Sequence, residues 1–227
     1  MLIGSKKTIA VVLCVILCGT AAGICAGAYA KTSVTTNAPT IVIDAGHGGI
    51  DAGVYGVNTG VKESDINLAI AKELRGRFVD AGFNCVMTRT TQAGLYGSTA
   101  KGFKMRDMQR RKEIIESCGA DMVVSVHQNT FALSSRRGSH VFYNIGSEDG
   151  KALATYIQTQ LNGLSGGVKS NTILAGDYYI LRCTGAPSVI VECGFLSNAE
   201  DEKLLTNTDY RAEIALAIFK GCIMYFS

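Results

Sequence analysis

The sequence predicts a single α/β domain with a mostly parallel central sheet flanked by helices. Strand-like and helix-like patterns alternate from residue 40 onward, as they do in parallel sheets whose strands are joined by helices. The strand-like runs are continuously apolar, which indicates strands that are buried on both faces. The chain has 227 residues, 47% of them hydrophobic, which is enough for one domain with a substantial core.

Residues 1–30 are predicted to be a signal peptide or an N-terminal membrane anchor. Two lysines precede the uncharged stretch 8–30, whose most apolar part, 9–17, has the length of a signal-peptide core. Small residues follow and end in an A-x-A pattern, so we favour cleavage after Ala30 over a retained anchor. In either case we expect an exported domain, which would touch the membrane only through 8–30 if that stretch is kept.

The first half of the domain, which we expect to span 40–227 after a polar linker at 31–39, contains three strands and two helices. The β-branched run 41–44 predicts a strand, and the glycine-rich stretch 46–60 predicts a loop. A helix is predicted over 63–80 because apolar residues recur there every four positions. A strand over 84–88, a loop over 91–104, a charged helix over 105–117 and a buried strand over 122–126 follow.

The second half continues the alternation. We predict strands over 139–143, 178–181 and 188–191, and helices over 149–162, 199–205 and 209–224. The formal net charge is only +3, and residues 31–227 keep 20 basic side chains against 19 acidic ones. This balance gives no electrostatic reason to expect nucleic-acid binding.

Three polar residues come at or shortly after the carboxyl ends of predicted strands: His47, His127 and Glu192. Ligands of open α/β sheets bind outside the carboxyl ends of the strands, so we expect these side chains to converge there. Glu63 opens the first predicted helix and shares a face with Ile66 and Ile70, which directs its carboxylate toward the packed side. Two imidazoles and a carboxylate, with a fourth position for water, are the usual ligands of a catalytic zinc ion. A further carboxylate could then be the general base.

Each of these residues also has a simpler interpretation when taken alone. His47 could be a polar loop residue, His127 a buried core histidine, and Glu63 an exposed acid that the helix dipole favours. Glu192 could pair with Arg182 at the end of its strand. The glycines around His47 do not indicate a phosphate loop, because the Walker lysine and the G-x-G-x-x-G spacing are both missing.

Two further residues lie near this set in the sequence. Asp44 could accept a ring proton from a ligand histidine, or it could only cap the loop that follows. His140, the third histidine, is most simply an ordinary strand residue.

The motifs resemble those of the zinc-dependent N-acetylmuramoyl-L-alanine amidases of bacterial cell walls, the family often called amidase type 3. The resemblance covers roughly residues 40–225 through five ordered motifs. They are Asp44-Ala45-Gly46-His47-Gly48-Gly49, Glu63 at the start of the first long helix, Thr88-Arg89, Ser125-Val126-His127-Gln128-Asn129, and Val191-Glu192-Cys193-Gly194-Phe195-Leu196-Ser197-Asn198. The family's HANA sequence is His127-Gln128-Asn129-Thr130 here, which leaves the finer substrate contacts open.

The resemblance implies one Zn²⁺ ion held by His47, Glu63 and His127, with Glu192 as the general base. The implied reaction is hydrolysis of the amide between the lactyl group of N-acetylmuramic acid and L-alanine in peptidoglycan. Arg89, Arg111, Asn129 and Arg182 are candidates for binding the substrate, the arginines through stem-peptide carboxylates.

Within the family, the small size, the leader and the segment 98–103 are most similar to the germination-specific amidases of spore-forming bacteria. That similarity implies work in spore cortex maturation, in the intermembrane space of the spore, and leaves room for a separate accessory or activating protein. The alternatives are a general wall amidase of vegetative turnover, a zinc peptidase acting on wall peptides, and a wall-binding module without catalysis.

Overall fold

The computed structural model describes residues 38–166 and 170–227, so the predicted leader and almost all of the predicted linker lie outside the described residues. This part of the chain forms six strands, five α-helices and one short 3-10 helix. The strands are β1 (Thr40–Ala45), β2 (Asn84–Met87), β3 (Met122–Asn129), β4 (His140–Asn144), β5 (Leu174–Gly176) and β6 (Ser188–Phe195). The helices are α1 (Glu63–Asp80), α2 (Phe103–Ser117), α3 (Glu148–Leu161), α4 (Ala199–Thr206) and α5 (Thr208–Phe226).

The strands form one sheet in the order β2-β1-β3-β6-β4-β5. β1 pairs in parallel with β2 and β3, and β3 pairs in parallel with β6. β4 runs antiparallel to β6, and β5 runs parallel to β4. The prediction of one α/β domain with a mostly parallel sheet is confirmed.

Apolar layers cover both faces of this sheet, which explains why the strand sequences are continuously apolar. The larger layer contains Ile43, Val124 and Val191 and packs against α1, α3 and α5. The smaller layer contains Val42 and Ile190, whose side chains point to the opposite face. This second face also carries the polar side chains described below.

Three features of the sheet differ from the sequence prediction. Residues 178–181 do not form a strand, because Tyr179–Arg182 is a 3-10 helix; a short apolar run does not distinguish a strand from a buried helical turn. The missed strand β5 has only three residues and lies at the edge of the sheet, half-buried at most. β3 and β6 continue three and four residues past their predicted ends, so His127 and Glu192 lie inside strands and not after them.

The helices begin and end within two residues of the predicted positions. α4 begins at a capped position, where the Asn198 side chain accepts hydrogen bonds from the backbone N–H groups of Glu200 and Asp201. Among the described residues, no helix combines the length and the hydropathy that a membrane span requires.

Candidate metal centre

His47 lies in the turn that follows β1, and its backbone conformation is unusual. Its φ angle is +60°, and His47 is the one non-glycine residue of the described chain with a positive φ. Such a conformation costs about 1–3 kcal/mol and is found mostly where function requires it. Asp51 lies four residues later, and its Oδ2 is 2.9 Å from His47 Nδ1. The turn therefore fixes the orientation of the imidazole through its own carboxylate.

Glu63 is the first residue of α1 and is only 2% exposed, as its helix face predicts. Its Oε1 atom is 2.9 Å from His127 Nδ1 and 3.3 Å from His47 Nε2. The backbone N–H of Val54 donates to Oε2, and that of Gln128 donates to Oε1. Each of these contacts to the carboxylate is made by a nitrogen atom. Such contacts stabilise a buried negative charge.

His127 completes the group from β3. The nearest ligand atoms of His47, Glu63 and His127 all lie within 4.8 Å of one another, so one cation can reach all three. Gly46 makes this convergence possible, because a Cβ atom at that position would lie 2.3 Å from the His127 ring. Two imidazoles and one carboxylate are a donor set suited to zinc.

The electrostatics of these three residues show how strongly the group attracts positive charge. Burial opposes ionisation of Glu63, but the hydrogen bonds and charges of His127 and His47 hold its pKa well below the ordinary range. Burial likewise disfavours a charged His47, yet Glu63 and Asp51 raise the pKa of that imidazole to about 9. A divalent cation would supply positive charge next to these carboxylates, so the residues fit a metal ion.

Glu192 lies on β6, directly opposite His127 in the strand register. Its Oε2 atom is buried and has no hydrogen-bond partner. Burial raises the pKa of this carboxyl to about 7. A carboxyl group with a pKa near the working pH can both accept and return a proton.

Among the described residues, Asp44 has no hydrogen bond with His47 or His127. Its oxygens accept from Ser125 Oγ at 2.6 Å, Thr88 Oγ1 at 2.7 Å and Arg111 Nη1 at 2.6 Å. Burial raises the pKa of Asp44, but the Arg111 charge and these hydroxyls lower it far more. Of the two roles considered for Asp44, the contact with a histidine ring is made by Asp51, which bonds His47.

Two of the arginines expected at the substrate are inside the protein. Arg111 is 1% exposed and also bonds Asp107 Oδ2 at 2.6 Å and the carbonyl of His47 at 2.7 Å. Arg89 is 3% exposed, and its guanidinium donates to four backbone carbonyls, those of residues 45, 46, 64 and 91. These contacts favour a role in holding the loop of His47 in place over direct contact with substrate.

The other two candidates are accessible. Arg182 is exposed and pairs with Asp177 at 2.9 Å, not with Glu192. Asn129 is the last residue of β3 and lines a pocket beside the centre.

A cavity of about 270 Å³ opens next to the metal centre and reaches from His47 and His127 to Lys104, Tyr178 and Tyr179. Lys104 Nζ is 3.1 Å from Asp51 Oδ1. Sequence reasoning missed both Lys104 and Asp51. For Asp51 the signal was present in the sequence, since an acid four residues after a histidine in a tight turn can reach its ring.

Comparison with known proteins gives consistent matches. Residues 41–223 match a protein family that is described as N-acetylmuramoyl-L-alanine amidase. The germination-specific N-acetylmuramoyl-L-alanine amidase of Bacillus subtilis (strain 168) is 29% identical over 199 residues, which are 86% of this chain and 83% of that protein. The amidase AmiA of Salmonella typhimurium is also 29% identical, over 240 residues, 86% of this chain and 79% of that protein.

Solved structures agree. The CwlD amidase from Clostridioides difficile, determined in complex with the GerS lipoprotein, is 38% identical and superposes with a TM-score of 0.79 over 82% of this chain and 98% of that one. The catalytic domain of the amidase CwlV from Bacillus (Paenibacillus) polymyxa is 28% identical with a TM-score of 0.73, over 82% and 97% of the two chains.

Proposed function

This chain belongs to the N-acetylmuramoyl-L-alanine amidase family, and from that premise we propose that it acts through one zinc ion and Glu192. The enzyme hydrolyses the amide bond between the lactyl group of N-acetylmuramic acid and L-alanine in peptidoglycan. The proposal assigns His47, Glu63 and His127 as the zinc ligands. The observation that carries it is their convergence within 4.8 Å, with Glu192 in register beside His127.

The chemistry divides between the ion and the protein. When bound, zinc polarises the scissile carbonyl and lowers the pKa of water. Glu192 takes the proton of the attacking water and gives it to the alanine nitrogen as the bond breaks. A pKa near 7 suits Glu192 to both transfers. Asp51 holds the ring of His47 in one orientation, which keeps the ligand set ready for the ion.

The deciding experiment is substitution of the proposed base. We expect Glu192→Gln to bind zinc with unchanged stoichiometry and to lose hydrolysis by at least about 100-fold, since general acid–base catalysis contributes factors of that order. Glu113→Gln, on the exposed face of α2, is the matched control and should keep full activity. Appreciable turnover by Glu192→Gln would overturn the assignment of the base.

Mass spectrometry of digested peptidoglycan separates an amidase from a peptidase on the same site. An amidase frees peptides that begin with L-alanine and leaves the lactyl carboxylate on the glycan. Cleavage within the stem peptide would instead leave L-alanine attached to muramic acid. We expect the first product pattern alone from the zinc-loaded enzyme.

We assign the enzyme to spore cortex maturation and expect it outside the cytoplasm. The similarity to the germination-specific amidase of B. subtilis and to CwlD supports this assignment. Spores made without the enzyme should then lack muramic lactam in their cortex; a normal lactam content would favour vegetative wall turnover. Because CwlD was determined with a lipoprotein bound, we also propose an accessory protein partner, testable by co-purification from sporulating cells.

A further inference from the structure

A second pocket lies beside the metal centre, on the β4 side of Glu192, and the proposed mechanism does not use it. Its volume is about 220 Å³. Three polar side chains and three phenylalanines form most of its lining: Asn129, Arg136, His140, Phe131, Phe142 and Phe195. We call it the β4 pocket.

The β4 pocket lies next to the reacting groups in the sheet, because its lining residue His140 pairs with Glu192 in the strand register. His127, Glu192 and His140 occupy paired positions on β3, β6 and β4. Paired residues on neighbouring strands point to the same face of the sheet, about one strand spacing of 4.8 Å apart. His140 therefore flanks Glu192 on the side away from His127.

Two polar side chains in the lining of this pocket, those of His140 and Asn129, determine which ligand it can bind. His140 is only 7% exposed, and its Nδ1 atom has no hydrogen-bond partner, although buried polar atoms in proteins nearly always have one. The side-chain oxygen Oδ1 of Asn129 accepts a hydrogen bond from the backbone N–H of Thr130. The side-chain NH₂ group of Asn129 is left available to a ligand. The His140 imidazole also has a hydrogen bond with the backbone of Gly138, so the Asn129 amide is the hydrogen-bond donor that this pocket leaves free for a ligand.

The charge of the β4 pocket is positive. The Arg136 guanidinium lies over the Phe131 ring, 5.2 Å from its centroid. Across the described residues, no carboxylate pairs with Arg136. Burial lowers the pKa of the His140 imidazole, and the positive charge of Arg136 lowers that pKa further. The pocket thus offers a fixed positive charge and hydrogen-bonding groups to an anion.

We propose that the β4 pocket binds the first free carboxylate of the stem peptide, the α-carboxylate of its second residue. The inference rests on the amidase function proposed above. The glycan side of the scissile amide carries no carboxylate, because the lactyl group is amidated, so an anionic subsite selects the peptide side. The second residue is linked through its side chain and keeps its α-carboxylate free.

The dimensions agree with this assignment. An extended residue spans about 3.3–3.6 Å, so a carboxylate on the second residue lies about 7 Å beyond the scissile nitrogen. His140 lies about two strand spacings, or about 10 Å, from the ligand His127. A substrate whose scissile bond lies between the metal centre and Glu192 therefore places that carboxylate at the β4 pocket.

The test compares two soluble muramyl-tripeptide substrates that differ in one group, the free α-carboxylate or its primary amide on the second residue. Because hydrogen bonds to charged groups are strong, we expect kcat/KM to be at least about tenfold higher for the carboxylate substrate. Arg136→Gln should remove that preference by lowering kcat/KM for the carboxylate substrate alone. Arg110→Gln, an exposed arginine of α2 outside the pocket, should keep it.

A second variant guards against misfolding as the explanation. His140→Gln keeps a hydrogen-bonding side chain, whereas His140→Phe does not; we expect the glutamine variant to retain more of the preference at equal thermal stability. Equal kcat/KM for the two substrates in the wild type, or an unchanged preference in Arg136→Gln, would overturn the proposal. If the wild type hydrolysed neither substrate, that result would instead count against the amidase function.

Discussion

Substitution of Arg111 by methionine tests whether this arginine supports the structure of the site or binds substrate. Arg111 is buried between Asp44 and Asp107, and each N···O distance is 2.6 Å. Removing one partner of a buried ion pair costs about 3–5 kcal/mol, because the remaining charge is left uncompensated. In a domain of this size 1 kcal/mol changes Tm by about 2–4 °C, so Arg111→Met should lower Tm by about 6–20 °C.

The measurement is thermal unfolding, by circular dichroism, of the metal-free and zinc-loaded protein. Arg110→Met is the matched control on the same helix, because Arg110 is exposed and pairs only with Glu113 among the described residues; its Tm should stay within about 2 °C, as expected for an exposed pair. Adding Asp44→Asn to Arg111→Met should recover part of the loss, since it removes the stranded charge.

A Tm for Arg111→Met within about 2 °C of the wild type, together with a raised KM, would refute this reasoning. That result would mean that the guanidinium turns toward the substrate, as the sequence alone had suggested.

Three further predictions follow from single residues. Gly46→Ala should weaken zinc binding by about 10-fold or more in calorimetric titration, because the new Cβ would lie 2.3 Å from the His127 ring and displace that ligand; unchanged affinity would contradict the proposed ligand set. Gly76→Ala should stabilise the protein by about 0.5–1 kcal/mol in urea unfolding, since its Cβ would meet no neighbouring atom and alanine favours the helix; a destabilised variant would contradict the open surroundings. The pKa of Asp44 is lowered in the folded state, so its contribution to stability is complete above about pH 4, the unfolded pKa, and is lost as the pH falls further; the free energy of unfolding of Asp44→Asn should therefore decrease less between pH 4 and pH 2, and an equal decrease would assign the acid sensitivity to other carboxylates.

The sequence predicted most of the fold because its signals are local. Helix α1 was predicted with its observed limits, Glu63–Asp80, from the apolar period and from Gly82, which ends it. The inward direction of Glu63 followed from the same period, and the burial of that residue agrees. Strand β5 was missed because three half-buried or exposed edge residues carry no period, and Tyr179–Arg182 was misassigned because its apolar run fits both strand and helix.

The partners of individual side chains were beyond the reach of sequence patterns. Arg89 and Arg111 were expected to bind stem-peptide carboxylates, but both are buried. Their burial depends on carbonyls and carboxylates that come from distant parts of the chain, as in the pairing of Arg111 with Asp44, 67 positions earlier. The flanking of Glu192 by His140 likewise depends on β4 lying antiparallel beside β6, and nothing local to either strand specifies that neighbour.

The position of β6 has a consequence for the order in which the protein becomes active during its synthesis. β6 is the last strand along the chain, yet it lies between β3 and β4. A chain completed only through β5 has two groups of strands, β2-β1-β3 and β4-β5, with no strand to join them. His47, Glu63 and His127 all come from the first 127 residues, whereas Glu192 arrives with the joining strand. The closing of the sheet and the arrival of the proposed base are therefore one event, and a chain that ends before β6 would have the proposed metal ligands without the proposed base.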